Sequence, residues 1–79
     1  MPEKPIKLID LKQGQKGIIV SIVGGRRVTQ RLTDMGLTPG TEVKMIRKGR
    51  LCPVEISVRG SNLALGHFVA KKILVKVKE

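Results

Sequence analysis

Few side chains in this chain of 79 residues are able to perform chemistry. There is one histidine, His67, and one cysteine, Cys52, while the carboxylates of Asp10, Asp34, Glu42 and Glu55 stand singly among basic neighbours. Acid–base or nucleophilic catalysis needs a reactive group held by an orienting partner, and no local motif supplies that pair. Structural zinc sites show paired ligands at short spacing, and nothing here resembles Cys-x-x-Cys or His-x-x-x-His. No catalytic residue, metal ligand or cofactor is therefore expected. Cys52, ahead of Pro53, reads as a small, partly buried apolar residue, and His67 as a residue near the start of a short helix. The isolated carboxylates read as surface groups in weak ion pairs.

Gly24-Gly25-Arg26-Arg27 is the one segment with phosphate-binding character, because free backbone N–H groups at a helix start and arginines both favour anions. It lacks the Gly-Lys-Ser/Thr of a Walker loop, and the diglycine is explained more simply as a turn between strand and helix.

Those residues need elements to hold them, and size restricts the choice. A chain this short has room for one core, so residues 1–79 are read as a single domain with residues 1–5 flexible. The core must be aliphatic, since Phe68 is the only aromatic residue. A lone cysteine forms no intramolecular disulfide, which fits a reducing, cytoplasmic setting. Residues 1–9, with Pro2 and Pro5, resemble neither a signal peptide nor a membrane span, so no membrane insertion is expected. Sixteen basic against six acidic residues give a formal net charge of +10. The partner should be acidic, although charge alone does not distinguish nucleic acid, an anionic membrane surface and an acidic protein.

Hydrophobic periodicity gives the order of elements. Ile18 to Val23 form a β-branched run interrupted only by Ser21, as in a strand buried on both faces or nearly so. After Gly24-Gly25 the period changes: Val28, Leu32 and Met35 fall on one side of a short helix, with Arg27, Gln30, Arg31 and Asp34 opposite and Arg26 beside them. Gly36 caps that helix, and Thr38-Pro39-Gly40-Thr41 is a tight turn. Val43, Met45 and Arg47 alternate with Glu42, Lys44 and Ile46 up to a basic tip, Lys48-Gly49-Arg50. On the return strand Val54, Ile56 and Val58 oppose Glu55, Ser57 and Arg59. Gly60, Ser61 and Asn62 read as another turn, His67 to Lys72 as a second short helix, and Ile73 to Val77 as the last strand. The fold predicted is mainly β, a small closed barrel of about five strands, with one helix after the first strand and another before the last.

The ordered motifs resemble the FeoA family. The matching elements are Leu8-x-x-Leu11-x-x-Gly14-x-x-Gly17, Arg31-Leu32-x-Asp34-Met35-Gly36-Leu37-x-Pro39-Gly40-x-x-Val43, Val58-x-Gly60-x-x-Leu63-Ala64-Leu65 and Ala70-x-x-Ile73-x-Val75. The resemblance implies an SH3-like barrel, a cytosolic role in bacterial ferrous-iron uptake, and a partner, the FeoB-like membrane GTPase transporter. Gly66 and Val69 stand where many members carry Arg and Glu.

The leading reading is a non-enzymatic accessory protein that binds the cytosolic region of FeoB through Arg26, Arg27, Gln30, Arg31 and Asp34, with Leu37 as an apolar contact. The same ridge also reads as an ordinary solvated helix face. A weak homo-oligomer is compatible with the sequence. The alternatives are a general peptide or protein interaction module and a basic barrel that binds nucleic acid, the latter disfavoured by the lack of aromatic stacking platforms.

Overall fold

The computed structural model describes residues 4–78. Residues 1–3 of the segment expected to be flexible lie outside the described residues; Lys4 and Pro5 belong to no regular element. The chain runs through β1 (Ile6–Lys7), a single 3₁₀ turn (Leu8–Asp10), β2 (Lys16–Ile22), α1 (Arg26–Asp34), β3 (Glu42–Arg47), β4 (Val54–Val58), β5 (Ser61–Leu65), α2 (His67–Ala70) and β6 (Ile73–Lys78). The strands form one six-stranded sheet in the order β1-β6-β2-β3-β4-β5, with every neighbouring pair antiparallel.

Mainly β with two short helices is the predicted class, with two corrections. There are six strands rather than about five, because two residues of β1 pair with β6, Ile6 opposite Val75 and Lys7 opposite Leu74. A pairing so distant in the chain has no local signature. Nor does a ladder join β1 to β5 among the described residues, so the sheet wraps around its core without hydrogen-bonded closure.

The core is one aliphatic cluster. Ile19 of β2, Val43 and Met45 of β3, Val54, Ile56 and Val58 of β4, Leu65 of β5, and Ile73 and Val75 of β6 meet Leu8, Leu11, Leu32, Leu37 and Ala70. Each large aliphatic side chain buried in this way contributes about 1.5–3 kcal/mol of apolar transfer, the main favourable term of folding. In β4 the predicted alternation holds. In β3 it holds from Glu42 to Met45, but a bulge between Met45 and Arg47 turns Arg47, expected on the face of Val43 and Met45, out to solvent and leaves Ile46 half-buried. In β2 the expectation of burial on both faces does not hold: among its apolar side chains only Ile19 is fully buried, Ile18, Val20 and Ile22 are half-buried, and Val23 is exposed beyond the strand end. Gly17 marks where β2 and β6 approach closely, since a Cβ there would lie 3.2 Å from the Lys76 carbonyl oxygen and from Val75.

Two turns locate the strands. Thr41 N–H donates to the Thr38 carbonyl at 3.1 Å while Gly40 sits at φ 93°, the left-handed conformation a type II turn requires at that position. Gly40 N–H then donates to Ile19 and Ile19 N–H to Thr41, docking the turn against β2. Between β4 and β5 the turn is Arg59-Gly60, at φ 50° and 82°, so the turn expected at residues 60–62 is displaced and Ser61 and Asn62 already pair with Val58 and Ser57.

Candidate partner interface

Helix α1 carries the predicted ridge, and its boundaries follow from its flanking glycines. Gly25 is the N-cap in extended conformation, with its carbonyl accepting from Thr29 N–H at 3.1 Å, so the diglycine is indeed the strand-to-helix turn. At the other end Gly36 adopts φ 87°, its N–H donates to Thr33 at 2.9 Å, and Leu37 N–H donates to Leu32 at 2.9 Å. Those two bonds make a Schellman motif, in which the residue after the glycine folds back to touch the helix's last turn.

That geometry decides the fate of Leu37. The leucine predicted to meet a partner is 0% exposed and packs in the core with Leu32, so it offers nothing to an external surface. Its position one residue after a capping glycine was the available signal. Met35 is corrected in the opposite direction: the helix ends at Asp34, Met35 is its C-cap, and the side chain expected on the buried stripe is 42% exposed. Leu32 is buried and Val28 half-buried, so the helix rests on the barrel through these two.

Arg26, Arg27, Gln30, Arg31 and Asp34 are all exposed, as predicted for one ridge. Gln30 Nε2 donates to Asp34 Oδ1 at 2.9 Å, one helical turn apart. The ion pairs among the described residues, Arg47 with Glu55 and Lys78 with Glu42, both lie on the sheet. The three arginines of α1 therefore have no carboxylate partner within ion-pair distance among those residues. On the sheet, hydrogen bonding to Glu55 raises the Arg47 pKa, and hydrogen bonding to Lys78 holds the Glu42 carboxyl below its ordinary range.

Beside the ridge lies an open apolar groove of about 200 Å³, with Arg31 at its rim. Val28, Leu32 and Met35 form one wall, and Ala64, Leu65, Gly66 and Val69 form the other. The strand-and-helix wall was not anticipated as part of an interface. Gly66 and Val69 leave this wall uncharged.

Among the described residues no three His, Cys, Asp or Glu side chains gather as metal ligands would. Cys52 is exposed rather than partly buried, because it lies in the β3–β4 connection instead of a strand. His67 opens α2, and its Nε2 lies 2.7 Å from the Cys52 carbonyl oxygen; a carbonyl only accepts, so this nitrogen carries the proton.

The family model of the FeoA domain matches residues 6–77. A Methanocaldococcus jannaschii protein, named provisionally as Fe(2+) transport protein A, is 41% identical over 68 residues, covering 86% of this chain and 82% of its own. The crystal structure of an iron uptake regulatory protein, FeoA, superposes with a TM-score of 0.87 at 35% identity, over 95% of this chain and 99% of that one. The zinc-complexed FeoA of Stenotrophomonas maltophilia, described as a prokaryotic SH3 domain protein, has a TM-score of 0.78 at 25% identity, over 90% of this chain and 89% of that one.

Proposed function

This chain belongs to the FeoA family of ferrous-iron transport accessory proteins, and from that premise we propose that it acts without catalysis by docking α1 onto the cytosolic region of a FeoB-type transporter. The observation carrying this reading is an apolar groove with Arg31 at its rim, on a helix whose three arginines have no carboxylate within ion-pair distance among the described residues. Protein interfaces concentrate their energy in desolvated apolar pockets bordered by polar residues, and arginine is among the side chains most enriched there. Met35, Val28 and Val69 would supply the apolar contact, while Arg26, Arg27 and Arg31 would meet carboxylates on the transporter. Gln30 and Asp34, bonded to each other, add a polar edge that limits which acidic surface fits.

Titration of the transporter's isolated cytosolic domain tests the reading. Arg27→Glu combined with Arg31→Glu should abolish binding, since each change converts an attraction into a repulsion while leaving the core untouched. Binding that survives this double reversal would exclude the ridge.

A further inference from the structure

A second surface, built from residues outside α1, has a different character. The β3–β4 connection, residues 48–53, presents Leu51 99% exposed, and α2 presents Phe68 72% exposed. The contact of His67 with the Cys52 carbonyl joins the two segments, and Arg50, Leu51, Pro53 and His67 line one shallow depression between them. Lys48 ties the connection to the rest of the fold by donating to the Ile9 carbonyl at 2.6 Å.

Every charged side chain in these segments is a cation. Residues 48–53 supply Lys48 and Arg50, residues 66–72 supply Lys71 and Lys72, and neither stretch contains Asp or Glu. The Lys72 ammonium sits 4.6 Å from the Phe68 ring centroid, placing a cation directly beside the exposed aromatic ring. Scattered single apolar residues on a surface are ordinary. Two large ones on adjoining segments whose own charges are all cations form a patch with a recognisable use, the carboxylate beside Cys52 and Pro53, Glu55, being paired with Arg47.

We propose that this end of the molecule docks on anionic phospholipid, with Leu51 and Phe68 at the boundary between headgroups and acyl chains and Lys48, Arg50, Lys71 and Lys72 at the phosphates. Amphipathic membrane contacts combine these parts: apolar groups that leave water, and cations drawn to a negative surface. Three of the four cations are lysines, which are depleted from protein interfaces, and an aliphatic tip residue such as Leu51 provides no platform for stacking bases. The contact is peripheral; no helix among the described residues is long and apolar enough to cross a membrane. It shares no residue with the arginine ridge, although Gly66 lines both this depression and the apolar groove, so charge reversal on α1 and the Leu51 and Phe68 variant test the two readings separately.

Sedimentation with vesicles tests the proposal. The protein should sediment with vesicles of equal parts phosphatidylcholine and phosphatidylglycerol, and not with pure phosphatidylcholine. Leu51→Ser with Phe68→Ser should lower that partition by roughly tenfold or more, without loss of far-UV dichroism because both side chains are exposed. Arg50→Gln with Lys71→Gln should lower it more than Arg26→Gln with Arg27→Gln, which removes equal charge elsewhere. The chain contains no tryptophan, so Leu51→Trp is a sole reporter whose emission should shift to the blue on anionic vesicles. Several results would overturn the proposal: no partition at low salt, an unshifted reporter, equal effects of the two charge-removing pairs, or a Leu51 and Phe68 variant that keeps vesicle binding. Loss of transporter-domain binding in that variant, with partition intact, would assign this end to a protein partner instead.

Discussion

Replacing Leu37 with alanine separates a residue that holds the fold from one that meets a partner. The side chain is 0% exposed, and its backbone N–H closes the Schellman motif on Leu32. Truncating a fully buried leucine costs about 2–5 kcal/mol, the lost transfer energy plus the cavity left behind. At about 0.05–0.15 kcal/mol per residue, a domain of this length has roughly 4–12 kcal/mol of total stability, so the change removes a large share of it. Even the lower end of the range corresponds to a fall in melting temperature of roughly 8–16 °C. Denaturant unfolding followed by far-UV circular dichroism gives the stability, and titration of the transporter domain at a temperature where the variant is folded gives the affinity. The expected result is a large loss of stability with near-native affinity per folded molecule. An unchanged unfolding midpoint with weakened binding would refute the placement of Leu37 and return it to the surface.

Three further outcomes follow from the sheet. Arg59 occupies φ 50° in a two-residue turn that favours Asn followed by Gly, so Arg59→Asn should raise stability by roughly 0.5–1 kcal/mol in the same unfolding assay. Lys16 directly faces both Lys44 and Lys78 across the ladders, and Lys44→Glu should therefore stabilise the protein by about 0.2–1 kcal/mol at low salt, with the gain fading as salt is added. Hydrogen bonding to Lys78, with the charges of Lys78 and Lys16 adding to it, lowers the Glu42 pKa, so this pair stabilises the fold above the ordinary carboxylate range and loses its effect as pH falls through the folded-state value. Glu42→Gln should flatten the acid side of a plot of unfolding midpoint against pH; an identical slope would show that the pair contributes nothing in solution.

Local periodicity made some of this structure readable. Val54, Ile56 and Val58 announce a strand with one wet face because the strand repeat is two, and α1 is bracketed by glycines that fit no helix interior. Errors arose where one residue's setting depends on backbone geometry a few positions away. Met35 keeps helical spacing with Val28 and Leu32, yet the helix ends before it; Leu37 looks like the first loop residue, yet the cap folds it inward. Ser61 and Asn62 have turn chemistry but sit in a ladder, because Arg59 tolerates the left-handed conformation that places the turn one residue earlier. Of the interface, the exposed ridge was legible from charge and period. The groove was not, because its second wall comes from residues some thirty positions further along the chain, brought there only by the sheet order.

The order of the strands also constrains how the molecule comes into being. β6 lies between β1 and β2, so a nascent polypeptide that has not yet delivered Ile73–Lys78 has a gap inside its sheet, with two edges that have no neighbour to bond. Folding must wait for the final strand to slot between segments synthesised far earlier, a slow search because long loops close before any contact rewards them. Until then those bare edges are open to pairing with other chains.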